Sequence, residues 1–114
     1  MDRQERQFLL TAVWLFMRHG RQDRALGICE ALCEDDPRDG ASAAAYADIL
    51  LGVGDARKAL DVINGADFES NLSHAAAVLE TRALLMLGRD SSAKARWARY
   101  LESRKGAERK WVQL

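Results

Sequence analysis

The sequence predicts an all-α fold of three stacked helix pairs, and three observations predict it. Gly20, Gly54 and Gly88 recur at a period of 34 residues. Ala25, Ala59 and Ala93 recur at the same period, each five residues after its glycine. Around these marks the apolar residues follow helical spacing. A period of this length is that of a helix–turn–helix unit whose copies stack, each burying against its neighbour a face that it cannot bury alone.

The glycine ends the first helix of each unit, because a residue without a Cβ takes the left-handed conformation that releases the chain into a turn. The alanine lies one turn into the second helix, where two backbones cross too closely for a larger side chain. The neighbours resemble the tetratricopeptide pattern of large and small residues. Leu9, Ala12, Val13, Phe16, Ala25, Cys29 and Pro37 stand in its places in the first unit. In the second they are Ala43, Tyr46, Ala47, Leu50, Ala59 and Ile63, with Asn71 where proline is expected. The third has Ala77, Thr81, Leu84, Ala93 and Trp97, with Glu80 at a large apolar position and Lys105 at the proline. The expected fold is therefore three tetratricopeptide-like pairs in a short right-handed superhelix. It forms one domain over 1–114, with repeats near 6–39, 40–73 and 74–107 and a tail over 104–114.

Helix one is expected from Arg3 to His19. Phe8, Leu9, Ala12, Val13, Leu15 and Phe16 form an inward face, and Leu10, Trp14 and Met17 form a second apolar stripe. Helix two spans Gln22 to Glu34 and buries Ala25, Leu26, Cys29 and Leu32 before Pro37 and Gly40 break it. Helix three, Ala41 to Val53, is rich in alanine, which favours helix and permits close packing. Helix four spans Ala56 to Asn64 with Ala59, Leu60 and Ile63 inward, and the stretch NGADFESN ends it. Helix five covers Leu72 to Leu87. Helix six starts near Ser91, whose hydroxyl suits a cap, and carries Trp97, Tyr100 and Leu101. The tail ends in an apolar group of Trp111, Val112 and Leu114.

Shifting the second stripe of helix one by one and two periods marks a single surface. Leu10, Trp14 and Met17 correspond to Ala44, Asp48 and Leu51, and these to Val78, Arg82 and Leu85. In a superhelix these nine residues face the hollow, where an amphipathic helix of a partner would lie with Trp14 as its anchor; the alternative for this stripe, an even one for Leu10, is packing against the next unit. Asp48 and Arg82 are expected to set that helix's register by charge pairing.

Other function classes find little support. Lysine plus arginine equals aspartate plus glutamate, 17 each, so no bulk field favours nucleic acid or an anionic membrane. The opening MDRQERQ carries no apolar signal core, and no run is long enough to span a bilayer, which suggests a cytoplasmic protein. Cys29 and Cys33 are one turn apart, and no set of four ligands accompanies them, so neither metal nor disulfide is expected. The aspartates of EDDPRDG lack the order of a calcium loop. His19 and His74 have no carboxylate relay, and no phosphate-binding loop or nucleophile elbow occurs. The protein is thus read as a binding protein, not an enzyme, with no cofactor. A grip on an acidic peptide terminus would have only Arg82 and Arg18 to use.

The first third carries a more specific likeness. Gln7, Phe8, Leu9, Leu10, Trp14 and Leu15, followed by Gly20, Arg24, Ala25, Ala31, Leu32 and Pro37, resemble the YscY class of small export chaperones in bacterial type III secretion. The likeness extends more weakly along the chain through its length, its repeats and the ARWARYLE helix at Ala95 to Glu102. It implies a cytosolic chaperone that holds a small YscX-like secreted protein as a heterodimer and presents it to the export apparatus, including the export-gate protein. The YscG class of needle-subunit chaperones has a similar size and architecture. A repeat adaptor or self-associating scaffold outside secretion is the alternative from another class.

Overall fold

Capping aspartates and left-handed glycines set several of the helix ends. In a computed structural model that describes residues 1–112, the helices are α1 (Arg3–Arg18), α2 (Gln22–Asp35), α3 (Gly40–Gly52), α4 (Ala56–Asn64), α5 (Ser73–Met86) and α6 (Asp90–Val112). A short 3-10 turn at Ser70–Leu72 precedes α5, and no strand occurs among the described residues. Aspartate caps three of the helices. The carboxylates of Asp2, Asp39 and Asp55 accept from the backbone N–H groups of Glu5, Ser42 and Lys58, each satisfying a donor that the helix leaves free.

The three expected turns share one geometry. Gly20, Gly54 and Gly88 have φ of 71°, 87° and 73°, the region that a side chain disfavours. Their N–H groups donate to Met17, Leu51 and Leu85, and those of the following residues to Phe16, Leu50 and Leu84. This pair of bonds closes a helix end in the Schellman manner. The pairs α1 with α2, α3 with α4 and α5 with α6 pack together, and α2 meets α3 as α4 meets α5. Ala25, Ala59 and Ala93 are fully or almost fully buried at these crossings.

Two places depart from the expected elements. Ser91 does not cap α6, because the helix already includes Asp90, and the helix continues through the segment expected as a tail. Residues 101–110 of α6 are exposed. The apolar group of Trp111, Val112 and Leu114 lies outside the described side chains. The second departure is the link after α4. That helix has nine residues against fourteen in α2, and the chain beyond it crosses back to the earlier link. The Asp67 N–H donates to the Arg38 carbonyl at 2.9 Å, and Arg38 Nε donates to the Asp67 carboxylate at 2.8 Å. Gly40 is buried beneath this crossing, and a Cβ there would lie 2.6 Å from the Asp67 carbonyl oxygen.

Glu80, unusual at an apolar position, accepts a hydrogen bond from Arg96 Nε at 2.6 Å across the α5–α6 pair. A largely shielded ion pair takes the place of the expected apolar contact. The core itself runs continuously from Val13 and Cys29 through Tyr46, Leu50, Leu60 and Ile63 to Leu79 and Leu84.

Candidate functional site

The nine residues expected to line one surface divide into four sets. Ala44, Asp48, Val78 and Arg82 come together between α3 and α5, where they line an open groove of about 410 Å³ with Ala45, His74, Ala75 and Leu79. Trp14, Met17 and Leu85 are exposed, Trp14 at 57% and Leu85 at 53%. Leu10 is half-buried. Leu51 is a correction: it is buried within the core cluster and offers no surface to a partner. Its equivalents Met17 and Leu85 are exposed because α1 and α5 have fewer flanking helices, whereas α3 packs against α1, α2, α4 and α5.

Charge in the groove is already paired. Arg82 Nη1 donates to Asp48 Oδ1 at 3.1 Å, so the contact expected with a partner is made within the chain. Both side chains remain about half exposed and keep free donor and acceptor sites toward solvent. On α1 the Arg18 guanidinium lies 4.8 Å from the centre of the Trp14 ring, which shields part of the indole. At the far end of the groove His74 Nδ1 is 3.1 Å from the Tyr100 hydroxyl, and both rings pack near Trp97.

A second correction concerns α1. Phe8 and Leu15, expected to point inward with Leu9 and Val13, are exposed. Leu9, Phe16 and Val13 supply the packing instead.

Reading the sequence also passed over Arg6, the most connected side chain in the fold. Its guanidinium donates to Asp35 at 2.8 Å, Asp39 at 3.1 Å, Ser42 Oγ at 2.9 Å and the Leu32 carbonyl at 3.3 Å. It therefore ties α1 to the end of α2 and the start of α3. Ser42 is fully buried, and its hydroxyl is satisfied only through this cluster. Burial disfavours the Asp39 charge, but hydrogen bonds from Ser42 and Arg6 outweigh it and hold the carboxyl below its ordinary pKa. The available signal was a lone arginine and a lone serine at helix positions, which nothing in their spacing connects.

The thiols are free, with Cys29 buried and Cys33 half-buried. Burial pushes the Cys29 thiol up to about 12, so it packs as a small neutral group. No cluster of metal-ligating side chains occurs among the described residues. Nor, among them, is any helix long and apolar enough to cross a membrane.

The class this geometry defines is an all-helical protein with an open apolar groove and exposed aromatic and thioether groups. Comparison with models of known protein families gives no match, and neither does comparison with curated proteins.

Proposed function

We propose that the protein is a cytosolic holding chaperone of a bacterial type III secretion system, built as a short right-handed superhelix of three tetratricopeptide-like repeats. In this reading it binds a small YscX-like export component as a heterodimer and presents it to the export apparatus and its gate protein. The observation that carries the binding role is the exposure of Trp14, Met17 and Leu85 beside the groove between α3 and α5. Large apolar groups of this kind mark a surface that a partner covers. The secretion assignment rests on the opening from Gln7 to Leu15, with its FLL and tryptophan, and on the size of the chain.

The mechanism is burial. An apolar helix of the partner lies along the Ala44–Val78 groove, whose small side chains admit close approach, and Trp14 and Met17 close over it. Asp48 and Arg82 offer their remaining donor and acceptor sites to polar groups at the edge of that helix. Co-expression with the neighbouring reading frames tests the reading. Trp14→Ala combined with Met17→Ala should abolish co-purification of the small partner and leave the helical circular-dichroism signal nearly unchanged. Normal capture by this variant would exclude the hollow. Capture of a needle subunit instead would assign the protein to the YscG class, and a stable partner unrelated to export would make it an adaptor.

A further inference from the structure

The outer face of α1 is a helix-docking position left open. Phe8 and Leu15 correspond, one and two periods on, to Ser42 and Ile49 and to Ala76 and Ala83. The inner four are 0%, 2%, 4% and 0% exposed because a preceding pair covers them. Phe8 is 72% exposed and Leu15 46%, because α1 packs against α2 and α3 on its other sides. The position of Phe8 thus carries small residues in the interior, Ser42 and Ala76, and that of Leu15 carries Ile49 and Ala83.

From the order of residues along this face, we infer that it is covered by the same face of a second copy, with the two α1 helices antiparallel. Reversal about a point between Thr11 and Ala12 sets Phe8 against Leu15 of the other copy, and Glu5 against its Arg18. Both apolar contacts and both charge contacts are then made twice, as a twofold interface requires. The centre is small enough for close approach, and the Thr11 hydroxyl is already satisfied by donating to the Gln7 carbonyl at 3.0 Å. Among the described residues neither Glu5 nor Arg18 has an ion partner in its own chain.

The opposite end of the stack does not fit this face. Where α2 and α4 carry Leu26 and Leu60 against the next pair, α6 carries exposed Lys94. Head-to-tail stacking would bury that ammonium against Phe8, which costs more than the contact returns. The association therefore closes at two copies.

Sedimentation equilibrium of the full chain at micromolar concentration tests the inference, and the expected result is a dimer. Phe8→Glu with Leu15→Glu should give a monomer of unchanged helical content. Arg18→Glu alone should weaken the dimer roughly tenfold, since two symmetry-related pairs are reversed at once. Adding Glu5→Arg should restore it. A monomeric wild type, a dimer indifferent to Arg18→Glu, or a double reversal that fails to restore association would each overturn the inference. This face meets the hollow only at Arg18, whose guanidinium lies over Trp14, so Met17→Ala alone should leave the dimer intact whether or not the secretion reading holds.

Discussion

Arg82 Nη1 lies 3.1 Å from Asp48 Oδ1, and the two residues occupy the same place in successive repeats. A one-period shift in sequence is thereby a side-chain contact in space. Because both groups are well exposed, water screens the pair and side-chain ordering offsets part of its Coulomb energy. A double-mutant cycle with Asp48→Ala and Arg82→Ala should give a coupling of at most about 1 kcal/mol in urea unfolding. A much larger value would mean that the pair organises the fold.

Crossing alanines should respond very differently. Ala59 is fully buried where α3 and α4 meet, so Ala59→Leu should overpack the crossing and cost about 1–3 kcal/mol. Arg24 is exposed, its guanidinium 5.9 Å from the Phe16 ring, and Arg24→Ala should stay within about 0.5 kcal/mol. Thermal midpoints of the two variants measured side by side check the contrast.

Glycines divide by the reason each is needed. Gly27 is exposed within α2 with open space around it, so Gly27→Ala should stabilise by about 0.5–1 kcal/mol through helix propensity. Gly54 also has open space, but its positive φ should make Gly54→Ala destabilising by about 1–2 kcal/mol. At Gly40 the obstacle is the Asp67 carbonyl, a backbone atom that cannot rotate away. Gly40→Ala should destabilise by about 1–3 kcal/mol and loosen the link after α4. Denaturation midpoints in which Gly27→Ala is not the most stable of the three variants, or in which either of the others exceeds the wild type, would contradict these assignments.

Acid should act through the Arg6 cluster. The folded-state pKa of Asp39 lies below the ordinary 3.8, so its contribution to stability is full above that value. It is lost as pH falls from 3.8 through the lower folded value, where the carboxylate that holds Arg6 and Ser42 becomes protonated. The Asp39→Asn variant should be less stable than the wild type at pH 7, and the gap should narrow below pH 3.8. Melting curves across that range test it, and an unchanged gap would place the acid sensitivity elsewhere.

Local features were legible in the residue order because they depend on near neighbours in the chain. A glycine at a helix end permits positive φ wherever it lies, so Gly20, Gly54 and Gly88 could be assigned to turns from their recurrence. Alanine at a fixed offset likewise marked the crossings, and the bounds of α4 followed from Gly54 and Asn64. Burial obeys a different logic, since it depends on how many elements surround a position. Leu15 and Ile49 share a repeat position, as do Leu51 and Leu85, yet one of each pair is exposed and the other buried. The difference lies in whether a helix stands on the next side, which residue type does not encode. The same holds for the Arg6 cluster and the Glu80–Arg96 pair, whose partners lie up to 36 and 16 residues apart. Chain order determined the helices and their turns; only tertiary structure decided which apolar groups remain uncovered, because that depends on how many helices pack around each position.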